Sequence, residues 1–102
     1  MKKEIIYLTL NDCMVTVYDN RLSPKLEEGD SVRVDITASV KTGNVGFVAI
    51  SKEDYYLGIA SWDGKNLELH PSNKEYETIK FDEEALEKVW VIGKCTQVHK
   101  DV

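Results

Sequence analysis

Two prolines and two cysteines in 102 residues leave little that breaks or staples the chain. So little proline, with hydrophobic residues at 42% and charged residues at 30%, excludes a disordered or low-complexity tail. Cys13 and Cys95 stand far apart, with no CxxC. That excludes a disulfide framework and reads as two buried thiols in a reducing compartment. His70 and His99 complete the soft metal ligands, and no two of these four residues lie at metal-ligand spacing. No metal and no cofactor is expected. No apolar run reaches the roughly 18 residues of a membrane span. The opening Met1-Lys2-Lys3-Glu4-Ile5-Ile6-Tyr7 is too short and too mixed for a signal peptide, so the expected compartment is the cytoplasm, with no membrane partner. An excess of basic residues is lacking too. Lys and Arg number 13 against 18 Asp and Glu, a net charge of -5, which argues against unaided binding to duplex DNA or anionic lipid.

What is present is short β patterning. Ile5 to Leu10 and Met14 to Tyr18 are β-rich runs broken at Asn11-Asp12. Ser31 to Ile36 alternates, with Val32, Val34 and Ile36 on one face, and Val45 to Ile50 follows the Gly43-Asn44 turn as a nearly continuous apolar strand. Asp54 to Ala60 and Asn66 to His70 flank Trp62-Asp63-Gly64-Lys65, a hairpin signature. Val89 to Val98 is a last long strand. Only the segment from Asp82 to Lys88 reads as a helix, capped by Asp82 and acidic at its positive end. Short strands with frequent turns predict one mainly β domain over 1–102: antiparallel, coiled into a partial barrel, with one short helix near 82–88.

The segment Val17 to Asp35 resembles the start of the LexA-like domain at the C-terminus of LexA and of many phage repressors. Pro24, Leu26, Gly29, Asp30, Val32, Val34 and Asp35 stand at the family's spacings. Gly43-Asn44-Val45-Gly46-Phe47-Val48 is similar to its Gly-Asp-Ile-Val strand entry. Leu67-Glu68-Leu69-His70-Pro71-Ser72-Asn73-Lys74-Glu75-Tyr76 is similar to its L-x-P-x-N-x-x-Y element, and Ile92-Gly93-Lys94-Cys95 to its closing strand. The likeness covers residues 17–98 and implies the coiled sheets of the LexA and signal-peptidase type of fold.

The resemblance also implies a serine nucleophile and a lysine base. The serine position is Arg21, and an arginine stays protonated and cannot attack a carbonyl. The lysine position aligns with Gly58, in a strand without lysine. Neither Ala-Gly nor Cys-Gly, the bonds the family cuts, occurs in the chain. A non-catalytic domain that acts by self-association is therefore expected: the dimerisation and regulatory part of a repressor encoded by a phage or mobile element. Such a domain meets DNA only through a separate helix-turn-helix. The alternatives are a cryptic serine peptidase using Ser23 with Lys52 or Lys65, and a small β-barrel adaptor. Arg21 reads either as a loop residue paired with Asp19 or as a ligand-binding cation in the remnant cleft. Gly29-Asp30 reads as a tight turn in which Asp30 bonds backbone amides. A homodimer is expected to use the final strand as a sheet edge, with Trp90, Ile92 and Val98 at the interface.

Overall fold

The computed structural model describes residues 3–100, and the ends of the expected 1–102 domain lie outside them. Alternation places the strands. β1 (Ile5–Tyr7) turns into β2 (Asp12–Thr16), where Cys13 and Val15 face inward. β3 (Ser31–Asp35) buries Val32 and Val34 opposite Val15 and Cys13. β4 (Val45–Ala49) is buried from Gly46 onward, as its apolar run requires, and pairs along its whole length with β5 (Tyr55–Trp62). β6 (Leu67–His70) returns across a turn in which the Asp63 carboxylate accepts the amides of Lys65 and Asn66. β7 (Ile79–Phe81), the one-turn helix α1 (Glu83–Leu86) and β8 (Val91–His99) complete the chain. All strand pairs are antiparallel, and they form a single sheet in the order β1-β2-β3-β8-β4-β5-β6-β7.

The structure adds one strand, bears out the short helix and corrects one expectation. β7 was not foreseen, because Ile79-Lys80-Phe81 is too short to show a period of its own. The short helix expected near 82–88 is there, as a single turn at Glu83–Leu86. Asp82 caps it by accepting the Ala85 amide at 2.8 Å, but nothing buries it deeply enough to carry it past Leu86. Last, the final strand is not a sheet edge. β8 lies inside the sheet, its first half laddered to β4 through Val91–Lys94 and its second half to β3 through Lys94–His99. The halves use different neighbours, so Cys95 to His99 have a strand partner on one side only among the described residues. Being last in sequence does not put a strand last in the sheet.

The sheet coils over two buried clusters. The larger gathers Cys13, Val15, Val17, Leu22, Leu26, Val32, Val34, Phe47, Tyr55 and Leu57. The smaller joins Val48, Ala60, Leu67, Leu69 and Phe81 beneath α1. Burial pushes the Cys13 thiol up to about 11 and the Cys95 thiol up to about 12, so both stay protonated and unreactive near neutral pH.

No strand ladder joins β1 to β7 among the described residues, so the barrel stays partial. Side chains bridge the gap instead. The fully buried Tyr55 donates its hydroxyl to the Thr16 carbonyl and accepts the Glu4 amide at 3.3 Å, which ties β1 and β2 to β5. Tyr18 accepts the Leu57 amide at 3.3 Å beside it. Tyr55→Phe keeps the ring and removes the clasp, leaving backbone groups without partners at a cost of about 1–3 kcal/mol. Urea unfolding should show that loss, with faster hydrogen exchange at the Glu4 amide. An unchanged midpoint would mean the hydroxyl contributes nothing.

Candidate functional site

The loop that follows β2 is fixed from both ends. At its far end Gly29 takes φ 98°, a conformation that favours glycine, and its amide returns to the Val17 carbonyl at 2.9 Å. The neighbouring Asp30 is buried, accepts the Glu27 amide at 2.9 Å, and pairs with Lys100 at 2.6 Å. The Gly-Asp pair is thus a structural turn. Upstream, the Arg21 carbonyl accepts the amides of Ser72 and Asn73 at 2.8 and 3.0 Å, and Asn20 accepts the Asn73 side-chain amide. The loop carrying Arg21 is thereby bound to the loop after β6.

Between them opens a cleft of about 700 Å³ lined by Arg21, Ile50, Tyr56, Tyr76, Ile79 and Phe81. Arg21 does not reach into it freely. Its Nε and Nη2 grip both Asp19 oxygens at 2.9 to 3.1 Å, and its side chain is only 15% exposed. The guanidinium carbon also lies 5.3 Å from the Tyr18 ring centre and 5.5 Å from that of Tyr76. Burial works against the charge, but Asp19 together with Tyr18 and Tyr76 outweighs it and raises the Arg21 pKa further. A side chain so held offers neither a nucleophile nor a proton acceptor.

Gly58 lies in β5 two residues after Tyr56, and β6 packs directly over it. A Cβ there would stand 2.5 Å from the Leu69 Cβ and 2.9 Å from the Leu69 backbone carbon. This is a close backbone approach between two paired strands, and it leaves no room for a lysine stem. Gly58 is not a wall of the cleft in the way Tyr56 is.

The residues named for the alternatives are scattered. Lys65 lies 4.0 Å from Glu83 beside α1, and Lys52 lines a different hollow with Lys3 and Glu53. Among the described residues no hydrogen bond joins either to Ser23, whose amide donates to the Asn20 carbonyl. His70 is bound to Glu68 and Thr78, and no described group of His, Cys, Asp and Glu is placed to hold a metal ion. Of the proposed interface residues, Trp90 is 55% and Val98 43% exposed, whereas Ile92 is half-buried against the smaller core. No described helix is long and apolar enough to cross a membrane. Sequence reasoning gave Lys3 no role and did not place Tyr56 or Tyr76 at a cleft. The L-x-P-x-N-x-x-Y element was the one signal that pointed to Tyr76.

The structure is thus a single coiled antiparallel sheet with a cleft beside the loop after β2 and the loop after β6. The chain belongs to the Peptidase S24-like family, whose model matches residues 1–96. No curated protein matches the chain.

The Gly58–Leu69 contact is testable by itself. Gly58→Ala should lower stability by about 1–3 kcal/mol, as overpacking does, and Gly58→Lys should prevent folding. Denaturant unfolding and circular dichroism read both. A Gly58→Ala variant as stable as the wild type would show that β6 can yield here.

Proposed function

We propose that this member of a peptidase family has no peptidase chemistry and acts by associating with a second copy of itself, as the dimerising and regulatory part of a repressor of phage or mobile-element type. The observation that carries the reading is the Arg21–Asp19 pair: the position that aligns with the family's nucleophile holds a permanently charged side chain locked to a neighbouring carboxylate. The tight Gly58–Leu69 contact points the same way, because the aligned base position has no space for a lysine. On this reading the domain meets operator DNA only through a separate helix-turn-helix, since its own acidic balance disfavours phosphate contacts.

The purified chain should stay intact at neutral and alkaline pH and should not react with a serine-directed fluorophosphonate. Mass spectrometry reads both. Loss of nucleophile and base together leaves no partial mechanism, since members of such a unit act non-additively. Self-cleavage that Ser23→Ala abolishes would overturn the non-catalytic reading.

Self-association is assigned to the surface around Trp90. The Trp90 amide donates to the Ala49 carbonyl at 2.7 Å, next to Ile50, and the Tyr7 hydroxyl donates to the Lys52 carbonyl at 3.3 Å in the turn that follows. Tyr7 at 45%, Ile50 at 40% and Trp90 at 55% exposure thus form one apolar patch on a small domain. Aromatic anchors of this kind carry most of an interface's energy. Sedimentation at tens of micromolar should show a dimer, and Trp90→Glu should give a folded monomer. A wild-type monomer under those conditions would refute the assignment while leaving the non-catalytic reading standing.

A further inference from the structure

Lys3 precedes β1, yet its side chain is inserted into the fold. Its ammonium nitrogen lies 4.4 Å from the ring centres of both Tyr18 and Tyr56 and 5.7 Å from that of Tyr55. The Asp54 carboxylate takes it at 2.7 Å. Aromatic faces around a cation, with a carboxylate at the open side, are the elements from which ammonium groups are recognised.

The walls do not depend on Lys3 for their position. Tyr55 is fixed by Thr16 through its hydroxyl, Tyr18 by the Leu57 amide, and their rings meet edge to face at 5.5 Å. Tyr56 leans on Phe81 at 6.2 Å. Asp54 stands at the entry to β5, its carbonyl accepting the Ile50 amide at 2.9 Å. The backbone beside Lys3 is held at Glu4, whose carbonyl accepts the Thr16 amide at 3.1 Å. The box is a fixed part of the sheet, and its occupant enters on the start of the chain's first strand.

We infer that Tyr18, Tyr55, Tyr56 and Asp54 form a receptor for an alkylammonium group, filled in cis by Lys3 and open to the lysine side chain of another polypeptide when Lys3 withdraws. Tyr56 is also a wall of the cleft, and Glu75 and Glu77 lie along that cleft's rim. With Arg21 already neutralised by Asp19, the surroundings favour a cationic occupant over an acidic one. Lys3 is then a latch: it seats the start of β1 and bars a competing lysine from the tyrosine box. None of this depends on whether the domain retains peptidase chemistry.

The test uses the full chain with Lys3→Ala, methylammonium chloride as probe, and sodium chloride at matched ionic strength as control. The ring resonances of Tyr18 and Tyr56 are followed by NMR. In Lys3→Ala they should shift saturably with methylammonium and not with sodium. In the wild type the response should be weaker by about tenfold or more, because a filled site must first release its own lysine. Adding Asp54→Asn should weaken probe binding again. If Lys3→Ala does not fold, Lys3→Met retains the apolar stem and is titrated in the same way. No saturable shift in the folded variant, or equal shifts with sodium, would overturn the receptor.

Discussion

The hydroxyl of Tyr55 is the point on which the rest of the architecture hangs. A sheet with β1 at one end and β7 at the other leaves its first two strands tied to the remainder only through β3 and β8. Tyr55 supplies the missing link from inside. Its ring packs against Phe47 and Tyr18, each 5.5 Å away, and its hydroxyl reaches the backbone of both β1 and β2. A buried aromatic with a polar tip suits this position because the ring contributes to the core while the oxygen satisfies backbone groups that no strand reaches. Once β2 is held against β5, the chain leaving β2 must pass Leu57, and Tyr18 meets that amide. The loop with Arg21 therefore emerges beside Tyr56. The cleft is a consequence of the clasp.

Much of this was legible in the sequence where a local rule sufficed. Val32 and Val34 alternate and are buried, Asp63-Gly64 turns, Asp82 caps, and the Gly29-Asp30 pair behaves as turn chemistry requires. Strand order was not legible, because β3 pairs with β8 across most of the chain and no spacing records that partnership. The expectation of an exposed last strand rested on chain position alone. It failed because a strand's neighbours are set by long-range packing, which has no signature in a ten-residue window. For the site, motif spacing located Arg21 and Gly58, while the tyrosines around Lys3 come from the distant β2 and β5 ends and meet only in the folded sheet.

Arg21 and Gly58 share a physical character: each is satisfied by its immediate neighbours. An active peptidase site of the serine–lysine kind needs a desolvated lysine and a hydroxyl facing one another in a dry cleft, an arrangement that costs stability. Arg21 instead makes a satisfied ion pair, and Gly58 permits direct strand-to-strand contact. A partly buried arginine gripped through two nitrogens orders its loop through geometry more than through net Coulomb energy. A glycine that lets β6 approach β5 improves packing over Leu69.

β8 couples these features to the surface around Trp90. Val91 and Cys95 point into the larger cluster and Ile92 into the smaller one, so a single strand is keyed into both cores. Its change of partner from β4 to β3 falls at Lys94, with a bulge opposite Arg33 and Val34. Displacing one half of the strand therefore strains the packing of the other, since cores at native density transmit movement more readily than they absorb it. Trp90 sits just before this strand and is hydrogen-bonded through its own amide to β4. A partner seated on Trp90 and Tyr7 would press on β4 and β8 together, and β4 continues through the Ile50 turn to Asp54 and the box that holds Lys3. The apolar patch and the box around Lys3 thus lie side by side at the turn end of one hairpin, where the Ile50 amide meets the Asp54 carbonyl, and a contact at the first has a short covalent path to the second.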